Sequence, residues 1–512
     1  MTIQIIDTPL DHAARLEIAK RRSRVPSFEP ALKQACVGFG KAGDNVEALS
    51  SGKALCVTTG QQPGIFLGPA FTVYKALSVI ALAERLTEYC GKQVVPVFWV
   101  AGDDHDFAEA NHVHVLDRDH GVRKIQLDPR DGDASSLPLY RELLDEGIKD
   151  VLRTFADTLP HNDFFDDVGG WLEQQYAPGK SMAGAFAHSL AELLGDRGLV
   201  VFQPTHNEAK RVQSQWILKA LERAEVLDRS LNNKASELND RGAPVPVPIH
   251  PGDTLVMIEG SQGRDRLRME GSRFVARRSG ESWSLDELRE ILRKDPELFS
   301  ANVLLRPVVE AAILPTVAYV AGPGELKYIN QAEPVYEELD ITPQTYLPRW
   351  SGVMVEPKVG RVLEKFNLSL EELNAPEGQI EGRLAADMVP NHLKTGLADL
   401  KNTLDEYSAG IVSEARKIDP TLEKPAAGAF RQIQFKVEHL EKRIASRIKA
   451  KNEITLRQIR DARNAVFPHG KPQERVFGFV QYLVRYGPTL LEQLSVACKE
   501  WADKVSVSDE GK

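Results

Sequence analysis

The chain has 512 residues, 42% hydrophobic and 27% charged, so it can bury a core over a long span and stay soluble. Its formal net charge of -9 argues against non-specific nucleic-acid binding, which needs surplus lysine and arginine to displace counterions. The four cysteines, Cys36, Cys56, Cys90 and Cys498, form no CxxC pair, which disfavours a thiolate zinc site or a disulfide framework and fits a reducing cytosol.

Met1–Leu10 has no basic segment leading into an apolar one, and no run of about eighteen apolar residues occurs. A cytoplasmic protein with no membrane contact is expected. The first fifty residues carry helix-like charge patterns and no chemical motif. Ala54–Thr58 is the first clear strand. It runs into a glycine-rich turn, and an amphipathic helix is expected over about Thr72–Tyr89. Val94–Val100 is continuously apolar, as a strand covered on both faces should be. It ends in Gly102-Asp103-Asp104-His105-Asp106, and ligands of open α/β sheets bind at that end.

Leu199–Phe202 and Thr316–Ala321 read as further buried strands. Leu255–Gly280 alternates and reads as hairpins inserted on the sheet. Ser284 with Glu287, and Ser369 with Glu372, are capping boxes that mark helix starts. After about residue 380 strands give way to heptad-like spacing at Leu393, Leu397, Leu400, Leu404, Tyr407, Ile411 and Ile418. The pattern breaks at Asp419-Pro420 and Pro425, then resumes at Phe430, Ile433, Val437, Leu440, Ile444 and Ile448. Two helices joined by a proline-bearing turn make an antiparallel hairpin. Phe477, Phe479, Val480, Tyr482 and Leu483 then return to the core, and the polar tail after Trp501 is expected to fray. The expected domains are a core over 1–380, a hairpin over 381–468 and a returning helical segment over 469–512.

Three constellations can carry chemistry. Thr59-Gly60-Gln61-Gln62-Pro63-Gly64 through Gly68 lets backbone approach a ligand closely, and free N–H groups at the helix start can meet oxyanions. Lys75, about two turns into the helix, could face the same site. The loop is neither a Walker loop nor GxGxxG, and a tight strand–helix turn is the plain alternative. Asp103, Asp104, His105 and Asp106, followed by Glu109, Asn111 and His112, suit acid–base work, an ammonium pocket or, as the weaker reading, a divalent metal; a polar capping turn is the plain alternative, and no metal ligand set is assigned. Arg306 could clamp a carboxylate or phosphate, with Gly322, Gly324 and Glu325 at a helix start nearby. Arg349, in Leu347-Pro348-Arg349-Trp350, could join the same cleft.

In this order, Thr59–Pro69 with Tyr74-Lys75, Val95–Val100 running into Gly102–Phe107, Asn111-His112-Val113, Asn302–Pro307, Leu314–Tyr319, Gly322–Glu325, Leu347–Arg349, Gln473–Val476 and Tyr486–Pro488 resemble the cysteine ligases of bacillithiol biosynthesis, the BshC family. The resemblance implies a Rossmann-like parallel-sheet core of the class I synthetase or nucleotidyltransferase kind, with connecting segments inserted at about 120–190 and 240–300. It also implies a coiled coil that pairs two subunits as a homodimer. The implied reaction adds cysteine to glucosaminyl-malate after ATP-dependent activation of the cysteine carboxylate, with ATP or ADP and Mg²⁺ as the expected cofactors. The glycine loop lacks the paired histidines of a HIGH signature, and no KMSKS-like motif is visible. Adenylation and phosphorylation therefore both stay open, as do another amide-forming ligase and a non-catalytic, nucleotide-regulated scaffold.

Overall fold

The computed structural model describes residues 4–7, 15–17, 24–130, 136–376, 378–451 and 453–508. Six strands form the central sheet: Cys36–Val37 (β1), Leu55–Gln61 (β2), Val94–Val100 (β3), Val200–Phe202 (β4), Thr316–Ala321 (β5) and Thr345–Pro348 (β6). Their spatial order is β6-β5-β2-β3-β4-β1. Neighbours run parallel except for the edge pair β1–β4. The core is thus Rossmann-like, with one antiparallel edge. Every residue of β3 is buried, as its unbroken apolar run requires.

The helix after the glycine loop spans Phe71–Cys90 (α1) and is buried without interruption from Thr72 to Ala83. The expected one-sided amphipathic pattern is therefore absent from its first half. That half is covered by the sheet on one side and by the helix Thr489–Lys504 on the other. The C-terminal segment returns to this core as expected, with Phe477, Phe479, Val480, Tyr482 and Leu483 all buried. The tail does not simply fray: Ser506–Ser508 pairs in parallel with Arg15–Glu17. Residues 509–512 lie outside the described residues. So do 8–14 and 18–23, within the stretch read as helix-like from its charges; there, Lys41–Ser50 is a helix.

The alternating segment forms an antiparallel sheet of Asp253–Gly260, Gly263–Glu270, Arg273–Ala276, Ser282–Trp283 and Phe299–Ala301. Leu255, Ile258, Leu267 and Phe274 share a core with Leu288 and Leu292 of the helix Leu285–Lys294. Ser284 and Glu287 form the expected reciprocal cap at that helix start, and Ser369 with Glu372 does the same farther on. Two more helices bear on the site, Asn207–Glu222 (α2) and Arg306–Ile313 (α3).

The chain divides into two compact units, one built from Ile5–Met354 with Gln473–Lys512 and the other on Val355–Pro472. The second contains Asn391–Ile418 (α4) and Glu423–Lys451 (α5), joined through a short turn at Pro420–Leu422. Lys401 pairs with Glu441, and Gln434 with Asp405, across the hairpin. Leu397 and Val437 are buried, whereas Leu400, Tyr407, Ile411, Ile433 and Leu440 stay exposed. No helix among the described residues is long and apolar enough to cross a membrane.

Candidate active site

The chain runs from β2 to β3 on one side, then returns to place β5 on the other side of β2. That reversal opens a crevice at the carboxyl ends of the strands, where open α/β sheets bind ligands. A cleft of about 520 Å³ lies there, lined from β2 by Gly60, Gln61 and Gln62, from β3 by Asp103, Asp104 and His105, and from β5 by Gly322, Gly324 and Glu325. Gly60 sits beside Trp99, and a Cβ on it would lie 2.9 Å from the Trp99 carbonyl oxygen. Only glycine lets these two strand ends lie so close.

One wall is a buried ionic network. Lys75 Nζ donates to the Gly60 carbonyl at 2.8 Å, to Gln61 Oε1 at 3.1 Å and to the Glu325 carboxylate. Glu325 also accepts from the Gly322 N–H at 2.8 Å and from the Tyr319 hydroxyl at 2.6 Å. It therefore caps its helix and holds the lysine at once. Burial pulls the Lys75 ammonium below its ordinary value, while Glu325 pushes back. Burial alone would raise the Glu325 carboxyl, but Lys75 and Arg306 outweigh it and hold it low. Beneath, Arg306 pairs with Glu310 at 2.7 Å, and Glu310 accepts from Thr58 at 2.5 Å.

Burial pushes the fully enclosed Glu310 from 4.5 to about 7, against the pull of Arg306. A raised carboxyl pKa means that the folded state binds the extra proton. Its contribution to stability is full below about pH 4.5 and is lost as pH rises through about 7. Denaturant titrations at pH 5 and pH 8 should show this loss, on the order of 2–3 kcal/mol. Glu310→Gln should flatten that slope; an unchanged slope would show that Glu310 is ionised throughout.

The facing wall is the turn after β3. Asp104 Oδ1 accepts the backbone N–H of His105 at 2.7 Å and of Asp106 at 3.1 Å, which folds the turn on itself. Asp103 is held by Lys210 of α2 at 2.6 Å, and Lys210 also donates to the Phe299 carbonyl. Arg264 approaches His105 from the antiparallel sheet. Burial first, then the Arg264 charge, holds the His105 imidazole below its ordinary value.

The structure gathers Gly60, Gln61, Gln62, Lys75, Asp103, Asp104, His105, Arg306, Gly322, Gly324, Glu325 and Arg349 around this cleft. It does not gather Thr59, Gly64, Gly68, Asp106, Asn111 or His112. Thr59 is buried and donates to the Val320 carbonyl. The loop before α1 does not offer its N–H groups as the expected oxyanion cradle, because its second half folds inward: Ile65, Phe66 and Leu67 are fully buried. The N–H groups of Leu67 and Ala70 are taken by the Tyr176 hydroxyl and the Phe477 carbonyl. Asp106 caps the short helix Phe107–Ala110. Asn111 is buried on the Leu127 carbonyl, and the His112 ring bonds the Ala108 carbonyl. Lys75 lies one turn into α1, not two, since the helix begins at Phe71. Arg349 reaches the cleft already engaged, its guanidinium buried on Glu474.

Three cationic cleft residues, Arg264, Arg266 and Arg475, escaped the sequence reading, as did Lys210, which holds Asp103 from outside the cleft lining. A signal existed for two of them. Arg264 and Arg266, two apart in an alternating strand, share a face, and the ladder shifts register before Arg268, which is exposed. Arg475 is carried by the returning C-terminal segment and has no ion-pair or hydrogen-bond partner among the described residues. Its neighbours are fixed: Gln473 bonds both the N–H and the carbonyl of Met354, and Glu474 grips Arg349. Cys56 is buried beside Thr316 with its thiol pushed up, the inert state. Among the described residues, no three His, Cys, Asp or Glu side chains gather as a metal-ligand group.

Comparison with known proteins adds a family description to this geometry. Residues 11–350 match "Bacillithiol biosynthesis BshC, N-terminal Rossmann-like domain", and residues 352–507 match "Bacillithiol biosynthesis BshC, C-terminal coiled-coil domain". A relative from Koribacter versatilis named "Putative cysteine ligase BshC" is 30% identical over 92% of this chain and 87% of its own length. Relatives of the same name from Salinibacter ruber and Bacillus cytotoxicus are 30% and 26% identical over 89% of this chain, covering 83% and 85% of theirs.

Proposed function

The chain belongs to the BshC family of bacillithiol biosynthesis, and from that premise we propose that it is a ligase joining the carboxyl group of L-cysteine to the amine of glucosaminyl-malate, which makes bacillithiol. The relatives' shared name supports a ligase over a non-catalytic scaffold. The observation that carries the reading is the cleft itself. An acidic turn, Asp103 to His105, faces a cationic wall across one crevice at the carboxyl ends of the strands.

A carboxylate must be activated before an amine can displace oxygen from it. ATP with Mg²⁺ supplies that activation when bound, as a phosphoryl or adenylyl group. The donor set fits a polyphosphate, because six cationic side chains line the cleft against four carboxylates. Arg475 would hold the phosphate oxygens, with Arg266, itself fixed by Asp253 at 2.9 Å, beside it. Asp103, immobilised by Lys210, and Asp104 hold the cysteine ammonium and receive the proton that the attacking amine releases. Two copies pair through the apolar residues that the hairpin leaves exposed, which sedimentation of the intact chain checks. A cytoplasmic location fits the four free cysteines.

The test is a mass-spectrometric assay of the purified protein with cysteine, glucosaminyl-malate, ATP and Mg²⁺. Bacillithiol with AMP supports an adenylating ligase, and bacillithiol with ADP an acyl-phosphate route. No amide product from folded, ligand-binding protein refutes the reading. In the same assay Arg475→Ala should raise the KM of one substrate by about 10- to 100-fold, the loss of one charge-assisted contact.

A further inference from the structure

His105 sits in the cleft with two ring nitrogens that face different surroundings. Nδ1 lies 3.4 Å from Nη1 of Arg264. Nε2 has no partner among the described residues, and the side chain is 36% exposed. Which nitrogen carries the proton decides whether the imidazole offers the cleft a lone pair or an N–H.

A guanidinium has only donors. A proton on Nδ1 would point one N–H at another, so beside Arg264 that nitrogen must present its lone pair. The competing partner is Asp104, whose Oδ1 could accept from a protonated Nδ1. That oxygen is farther away, at 4.0 Å, and already accepts two backbone N–H groups. Arg264 cannot swing aside, because Nε donates to Ser300 Oγ and Nη2 to the Ala301 carbonyl, each at 2.9 Å. The other charges that bear on the ring are Arg278, which opposes a second proton, and Asp104 and Asp106, which favour one. Burial and the two arginines outweigh the carboxylates, and the ring is held toward its neutral form.

We propose that Arg264 is a positioning residue that fixes His105 in its Nε2–H tautomer, so that His105 gives the reacting carbonyl a hydrogen-bond donor and does not act as the base. This rests on the ligase reading for its reaction. As the amine nitrogen bonds to the cysteine carbonyl carbon, the C=O electron pair moves onto oxygen, and the Nε2–H stabilises that oxygen without giving up its proton. When the carbonyl re-forms, the C–O bond to the activating group breaks and its electron pair leaves with that group. The proton lost by the amine goes to a carboxylate of the turn. The sequence pattern, an aspartate on each side of a histidine, had suggested acid–base work; the arginine arriving from another sheet changes what the histidine offers.

The test labels histidine with ¹⁵N in the intact protein and reads two-bond ¹H–¹⁵N correlations at pH 7.5, with His105→Gln identifying the resonance. The expected result is a neutral ring with Nδ1 unprotonated and Nε2 protonated, mixing toward both tautomers in Arg264→Gln. An Nδ1–H tautomer or an imidazolium overturns the proposal, whether or not the protein ligates cysteine. In the ligation assay His105→Gln, whose side-chain amide still donates, should keep at least ten times the kcat of His105→Ala. Equal loss in both variants overturns the donor role. A wild-type protein that makes no amide refutes the ligase reading alone, since the tautomer is still decided by the spectrum.

Discussion

Arg349→Ala is expected to lower the unfolding free energy by about 3–5 kcal/mol, because it breaks a buried ion pair and strands the remaining charge. The Arg349 side chain is 1% exposed and that of Glu474 is 5%. The guanidinium meets both carboxylate oxygens and also donates to the Trp350 carbonyl at 2.8 Å. The bridge ties the end of β6 to the segment that returns after the hairpin, next to Arg475. Glu474→Ala should cost as much, for the mirror reason. A double replacement, Arg349→Met with Glu474→Leu, should recover most of the loss, since well-packed apolar groups of similar volume need no desolvation repaid. Urea unfolding of the three variants checks this. Single losses below 1 kcal/mol would mean that water reaches the pair.

Glu325→Gln is expected to lower kcat/KM by at least 100-fold, the size of effect seen when a preset charge is removed from an active site. The alkaline limb of the pH profile should also move to lower pH. Lys75 is almost fully enclosed, and burial already favours its neutral form. Among the described residues, Glu325 is the only carboxylate paired with it. Without that charge the ammonium is lost at lower pH, and the neutral amine holds Gly60 and Gln61 at the cleft's edge by weaker, uncharged hydrogen bonds. The variant should still fold, because glutamine preserves the shape and can accept from Tyr319. A pH–rate profile with an unmoved alkaline limb would show that Lys75 does not need its charge for turnover.

Much of this protein was legible from local pattern. β3 could be read to the residue because seven apolar side chains in a row suit a strand buried on both faces and little else. The hairpin could be read from its heptad spacing and its proline-bearing turn, and the acidic turn after β3 from its place at a strand's carboxyl end. The glycine loop was read less well. Its glycines were taken as a cradle for oxyanions, yet Gly64 and Gly68 serve packing, since a Cβ on Gly64 would lie 3.2 Å from the Gly68 Cα. Local sequence does not distinguish these uses, because both need the same freedom from a side chain.

The sequence by itself determined the elements, the family and the first half of the cleft, because periodicity and turn chemistry act over a few residues. Only the tertiary structure decided which charges meet. Lys75 finds Glu325 across 250 positions, Asp103 finds Lys210 across 107, and His105 finds Arg264 across 159. Each of these partners sets what a group can do, by holding its charge, its orientation or its proton, and chain contacts that distant leave no periodic trace. The site's chemistry therefore resides in pairings that the fold makes between separate elements.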